Sequence, residues 1–475
     1  MNKSKKPAII LITCDELRRD TLSFYGNQAI ATPHLDNLAR KSYVYDECYT
    51  TSPWCLPARC SILTGLYPHR SGAYSNFRKC PLDGNVKNLF KELRNNGYQT
   101  SLFGKCHFAP VPYDLTRPEI SLPYDEFRNY YLSLGLDHLD LQDDKQVSVW
   151  FYDDYSKELE KAGYLSNYRN NVWDKKLQKL FSFPGPMEWH PDSWVADKAI
   201  TFIENNNCDK PLFAWISFSG PHYPFDAPGE YFSRVDRSRL WPRKIKEGEL
   251  ADPERIHHRS YYGSGNIDGA GQAPDRACMN YTEDYWERLQ ENYNANVALI
   301  DDKVGELLST IREQYGDNTL IFFSADHGEM LGNHGLWGKH NCAYDEVWRI
   351  PLFVKFPNEN ESKRMNCLVN LNDVLPTCLD AAGLAQIESD GQSLLGRRQT
   401  DRKYTFAEGE GFIACTDGRY KYIHIQKQGE NYRELLDKVS DPEEFNNQIR
   451  EPACREAASR LKEQVIEHFM PKVLP

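Results

Sequence analysis

The chain has 475 residues, 40% of them hydrophobic and 26% charged, with a formal net charge of -11. That length suits a large α/β domain with a smaller partner, and the acidic balance argues against a nucleic-acid binder, which needs a basic footprint. No stretch is long enough to span a bilayer, and the 13 cysteines are too scattered for a disulfide framework or a repeated zinc motif. An anionic small substrate stays compatible with this charge, because local basic residues set the field in a pocket.

The apolar run after Lys5-Lys6 is too short for a signal peptide and reads as a first strand, so a cytoplasmic location is expected; an exported form with its signal removed would read the same. Ala8 to Thr13 has the continuous apolar character of a strand buried on both faces. It ends in Cys14-Asp15-Glu16. A carboxylate just past such a strand stands where open α/β sheets bind ligands; the plainer role for Asp15 is a helix N-cap. Thr32-Pro33 opens a helix with Leu35, Leu38 and Ala39 as its stripe. Tyr43 to Tyr49 reads as the next strand and delivers the chain to Cys55-Leu56-Pro57-Ala58-Arg59, followed by Leu63-Thr64-Gly65. Ile62, Leu63 and Leu66 fit a helix starting near this segment. Cys55 then falls where free N–H groups and the helix dipole favour an anion, although a cysteine is often only a small buried hydrophobe.

Val86, Leu89, Phe90 and Leu93 predict another amphipathic helix, closed by Gly97, and the strand after it runs into Gly104-Lys105-Cys106-His107. From about 111 to 192 aromatic residues such as Tyr130, Trp150, Tyr155 and Tyr168 lie among charges with little periodicity. This predicts an irregular insertion whose rings either face a substrate or pack onto the domain. Asp192-Ser193 caps the helix that follows, and Pro211 to Phe218 is a buried strand leading into Pro221-His222-Tyr223-Pro224. A second irregular insertion is expected at about 229–280. Tyr285 to Ile311 marks one long amphipathic helix. Asp301 and Asp302 within it point about 100° apart and read as a solvated face. Thr319 to Phe323 is a central strand ending in Asp326-His327, a second candidate ligand pair or a turn that caps a helix. Lys339, with His340 beside it, precedes the strand Pro351 to Phe356; Asn372-Asp373 then caps a helix ended by Gly383. Beyond a boundary near 391–402, short antiparallel strands are expected around 404–407, 412–416 and 420–425, then a closing helix over Ala457 to Phe469.

In this order the motifs resemble those of the formylglycine-dependent type I sulfatases of the alkaline phosphatase superfamily. The family signature is a Cys or Ser, any residue, Pro, any residue, Arg, then Leu-Thr-Gly. The resemblance implies an α/β fold with a large central, mostly parallel sheet sandwiched by helices, and a smaller C-terminal α+β subdomain with a short antiparallel sheet. The expected division is 1–395 for the catalytic domain and 396–475 for the subdomain. It further implies that a maturation enzyme oxidises Cys55 to formylglycine, whose hydrate attacks sulfur. Asp15, Asp326, His327 and the modified Cys55 would hold a divalent cation, Ca²⁺ first and Mg²⁺ or Mn²⁺ as alternatives. Family members carry Asp or Gln where this chain has Glu16, whose part in metal binding is left open. Arg59 would hold the nucleophile, Lys105 and Lys339 the sulfate oxygens. His107 would hydrogen-bond the hydrated formylglycine, and His222 would act at the leaving group.

The activity so implied is hydrolysis of a sulfate ester, with a small or oligomeric sulfated sugar as substrate and no nucleic-acid or membrane partner. The alternative is the phosphonate monoester or phosphodiester hydrolase of the same superfamily, which shares the Asp-His pair and the formylglycine. A binding protein on a dead scaffold is opposed by the joint presence of nucleophile, ligands and basic cradle.

Overall fold

The structure is a computed structural model that describes residues 6–76, 80–109, 125–145, 152–174, 176, 179–206, 209–249, 252–255, 278–339, 341–427 and 429–470. One sheet is built from β1 (Ala8–Asp15), β2 (Tyr43–Tyr49), β3 (Gln99–Gly104), β4 (His138–Leu141), β5 (Leu212–Pro221), β6 (Thr319–Ala325), β7 (Leu352–Lys355) and β8 (Lys363–Asn370). Their order is β4-β3-β5-β1-β6-β7-β2-β8. Every neighbouring pair is parallel except those of β7, which runs antiparallel to β6 and β2. β1 is buried along its whole length, with Ile9 beside Phe213 on one side and Leu320 on the other. A strand paired on both edges and covered on both faces needs apolar side chains throughout, which is why its sequence does not alternate.

The sheet lies between two groups of helices. α1 (Pro33–Ala39), α4 (Pro191–Glu204) and α5 (Glu283–Tyr315) form one group; α2 (Cys55–Thr64), α3 (Leu89–Asn95) and α6 (Val374–Ala381) form the other. A second, antiparallel sheet of β9 (Thr405–Gly409), β10 (Phe412–Thr416), β11 (Tyr420–Lys427) and β12 (Glu430–Asp437) follows, in the order β12-β11-β10-β9. α7 (Arg455–Phe469) covers it, with Ala457, Leu461 and Val465 packed on Ile413, Cys415, Tyr422 and Leu435.

Several expectations need correction. The stretch 111–192 is not irregular throughout. Its described part holds three α-helices (Asp125–Ser133, Asp154–Lys161 and Leu165–Trp173), a short 3-10 helix (Met187–Trp189) and β4, which adds a parallel strand to the sheet edge beyond β3. β4 has four residues with alternating burial, so no apolar run announces it. Tyr155 and Tyr168 are buried, which makes them packing residues; Trp150 lies outside the described residues. α4 begins at Pro191, and its cap is His190, whose Nδ1 accepts the Asp192 N–H at 3.2 Å. β8 was not expected, because its first half is polar and faces solvent. Asp301 is not a solvated residue: it is buried, and its carboxylate accepts the N–H groups of Leu35 at 2.8 Å and His34 at 3.2 Å. It thereby supplies, from α5, the cap that α1 lacks among its own side chains. Of the second insertion, 256–277 lies outside the described residues, as does His340.

Candidate active site

The predicted residues converge on the edge of the sheet where its parallel strands end. Asp15 ends β1, while Asp326 and His327 follow β6. These strands are neighbours, with Cys14 opposite Ala325, so their carboxylates meet. Cys55 is the first residue of α2, whose ten residues are all buried. One ligand atom from each of Asp15, Cys55, Asp326 and His327 lies within 4.8 Å of the others. The Cys55 Sγ is 3.5 Å from Asp15 Oδ1 and 3.1 Å from His327 Nε2.

The donors are oriented by their neighbours. Asp326 Oδ1 accepts the main-chain N–H groups of Glu16 (3.2 Å) and His327 (2.9 Å), and Oδ2 accepts Arg59 Nε–H at 2.8 Å. His327 donates Nδ1–H to the Gly328 carbonyl at 2.9 Å. In the neutral ring Nε2 is then unprotonated on the cluster side, the form a metal ligand requires. Burial opposes a charged His327, but the Asp326 carboxylate and the Cys55 side chain together outweigh it and push the imidazole up to about 9. The cluster therefore favours added positive charge. Two carboxylates, one imidazole nitrogen and residue 55 fit a divalent cation.

Basic groups surround these ligands. Arg59, one turn along α2 from Cys55, is fully buried; its Nη1 donates to the Lys105 carbonyl (2.9 Å) and to Ser217 Oγ (2.6 Å). Its Nη2 is buried with no hydrogen-bond partner among the described residues. Lys105 Nζ donates to Asp15 and, at 2.7 Å, to Asp144 Oδ2. Burial would raise the Asp15 carboxyl, yet Lys105 together with His222, Lys339 and Arg59 outweighs it and holds the group well below the usual carboxylate range. Lys339 Nζ lies 2.8 Å from Glu16 Oε1, and Glu16 Oε2 lies 3.6 Å from His222 Nε2. Glu16 is thus paired with Lys339 and is not part of the four-residue ligand cluster. Its left-handed backbone (φ 65°) is held by Tyr293, whose hydroxyl donates to the Glu16 carbonyl and accepts the Arg18 N–H at 2.9 Å.

His222 donates Nδ1–H to the Tyr223 carbonyl at 2.7 Å. Burial, with Lys339 nearby, pushes it down to about 3. Burial and Lys105 likewise lower His107 to about 4. Both ring nitrogens of His107 are buried with no hydrogen-bond partner among the described residues, and the structure does not bring the ring into hydrogen-bond contact with Cys55. The turn that carries it is fixed by Asp143, whose Oδ1 accepts the N–H groups of Cys106 (2.9 Å) and His107 (2.8 Å). Sequence reasoning missed Asp143 and Asp144, which follow β4, and Asn76, which accepts the Leu56 N–H at 3.0 Å. The two aspartates had a readable signal, paired acids after a short strand, but only once β4 is known to be one.

The Sulfatase family model matches residues 7–384, and the model of the N-sulphoglucosamine sulphohydrolase C-terminal region matches 332–470. The chain belongs to the sulfatase family, and it is a sulfuric ester hydrolase. The arylsulfatase of Clostridium perfringens is 29% identical over 488 residues, covering 98% of this chain and 94% of that protein. The N-acetylglucosamine-6-O-sulfatase of Bacteroides thetaiotaomicron is 24% identical, covering 94% of this chain and 83% of that protein. In fold, the chain is similar to the phosphonate monoester hydrolase of Agrobacterium radiobacter, with a TM-score of 0.79 at 21% identity over 97% of this chain and 95% of that one.

Proposed function

We propose that the chain removes sulfate from a sulfated carbohydrate, with Cys55 matured to formylglycine as the nucleophile and a divalent cation, Ca²⁺ first, at Asp15, Asp326, His327 and residue 55. The observation that carries this reading is the convergence of those four residues within 4.8 Å at the N-terminus of α2. The carbohydrate assignment draws on the N-acetylglucosamine-6-O-sulfatase relative. When bound, the cation polarises the sulfuryl group and lowers the pKa of the attacking hydroxyl. Hydrated formylglycine offers one oxygen for attack and a second whose ionisation expels sulfate; a thiol lacks that second step.

The protein's own groups do the rest. Lys105 and Lys339 place positive charge where sulfate oxygens gain negative charge, and the spare Nη2 of Arg59 is a further donor. Burial works against the Lys339 ammonium, but the Cys55 and Glu16 side chains keep it well above the ordinary lysine range, so it is charged. His222 is neutral at neutral pH and takes a proton before it gives one. Lys339 is then the proton source for the leaving oxygen. His107 is also neutral, and although its ring does not contact the Cys55 side chain, its two nitrogens without a partner among the described residues are the proposed partners for the larger, hydrated residue 55.

Intact-mass analysis after expression with a formylglycine-generating enzyme should show sulfur exchanged for oxygen and two hydrogens lost. Protein that stays unmodified in such a host yet is fully active would refute the proposed nucleophile. A second reading, phosphonate monoester or phosphodiester hydrolysis, is favoured by the Asp326-His327 pair. Comparing kcat/KM on aryl sulfate and aryl phosphonate esters separates the two, and a strong phosphonate preference would sink the sulfate reading.

A further inference from the structure

A second set of ligand atoms lies outside the catalytic cluster. His69 follows the Leu-Thr-Gly turn at the end of α2, Glu408 is in β9 and His468 is near the end of α7. His69 Nδ1 and His468 Nε2 converge on the same oxygen, Glu408 Oε1, at 2.8 and 2.5 Å. The other oxygen accepts the main-chain N–H of His69 at 2.9 Å, which stops the carboxylate from rotating away. The His468 ring is stacked on Phe406 (centroids 4.0 Å apart, 14° between planes) and meets the edge of Tyr67 at 4.6 Å. The side chains of Glu408 and His468 are 5% and 8% exposed, that of His69 27%. The group is therefore held rigidly, is mostly dry, and opens to solvent on the His69 side.

We infer that His69, Glu408 and His468 form a peripheral site for a zinc-class divalent ion, with its open position toward solvent. Two imidazoles and a carboxylate are a borderline N/O donor set, unlike the carboxylate-rich catalytic cluster, and suit Zn²⁺ better than Ca²⁺. In the structure each histidine points a ring nitrogen at Glu408 Oε1, so a proton fills each gap. With metal–ligand bonds of ~2.0–2.2 Å, the donor atoms of a tetrahedral site sit roughly 3.3 Å apart. To bind the ion, each neutral ring moves its proton to its other, outward nitrogen, while the carboxylate oxygen withdraws by about 0.5–0.8 Å. The three ligands come from distant parts of the chain, so the ion would clip the α2 exit to the antiparallel sheet and to α7, closing two long loops.

The test uses the full chain with the catalytic cluster saturated by Ca²⁺, titrated with Zn²⁺ by calorimetry alongside His69→Gln and His468→Gln. The site predicts one Zn²⁺ bound in the wild type with a rise in Tm, and at least a ~10-fold loss of affinity in each variant. The Ca²⁺ response of both variants should match the wild type. Co²⁺ in place of Zn²⁺ should give the intense visible bands of a four-coordinate ion in the wild type, a readout that needs no variant to fold. Equal Zn²⁺ affinity in wild type and His69→Gln, or no such Co²⁺ bands, would overturn the inference and leave the trio as a hydrogen-bonded contact alone.

Discussion

Arg59→Lys tests how the site is held together. The Arg59 guanidinium makes hydrogen bonds to Asp326 Oδ2, the Lys105 carbonyl and Ser217 Oγ, all in a fully buried setting. A lysine is a compact point donor on a shorter reach and keeps one of them. Hydrogen bonds to charged groups contribute about 1.5–3 kcal/mol each, so losing two costs about 3–6 kcal/mol. That range overlaps the ~3–5 kcal/mol for removing one partner of a buried pair. Arg59 also orients Asp326, so Ca²⁺ affinity should fall by ~10–100-fold, as it does when the groups behind a metal ligand are removed. Urea unfolding of the metal-free protein reads the first effect and Ca²⁺ calorimetry the second. A stability change under about 1 kcal/mol, within the scatter of surface substitutions, together with unchanged Ca²⁺ affinity, would refute the view that this guanidinium positions Asp326.

Glu16→Gln keeps the shape but removes the charge opposite Lys339. Turnover of the matured enzyme should drop by ~10-fold or more with Ca²⁺ affinity nearly unchanged, whereas a large loss of Ca²⁺ binding would make Glu16 a ligand. His107 has a folded pKa of about 4, below the ~6.5 of an unfolded histidine. As pH falls the unfolded chain takes up the proton first, so stability is full above ~6.5 and declines toward pH ~4, by on the order of 3 kcal/mol. His107→Gln should flatten that part of a stability-against-pH curve, and an unchanged slope would contradict the buried neutral ring. Asp301→Ala removes the acceptor for two N–H groups at the start of α1 and should destabilise by about 1–2 kcal/mol in urea unfolding. A neutral result would mean water replaces the cap.

Much of this protein was readable without coordinates because the signals are local. The apolar run of β1 announces a doubly covered strand, and the residue after such a strand sits at the ligand-binding edge whatever the rest of the chain does. Asp15, Asp326 and His327 are legible for that reason, and Cys55 because a helix begins at it. β4 was not legible: a four-residue edge strand with polar residues on alternate positions looks like loop, and with it went Asp144, the second partner of Lys105. Asp301 looked solvated because a helix periodicity shows which residues share a face but not what packs there. His69, Glu408 and His468 are each unremarkable where they stand in the chain, and they meet only because α7 folds back over the second sheet and onto the end of α2. Side-chain period and helix capping act over a few residues, so the sequence by itself determined most of the elements and the residue types at their ends. Strand order and helix packing join residues hundreds of positions apart, so only the tertiary structure decided which carboxylate holds which lysine.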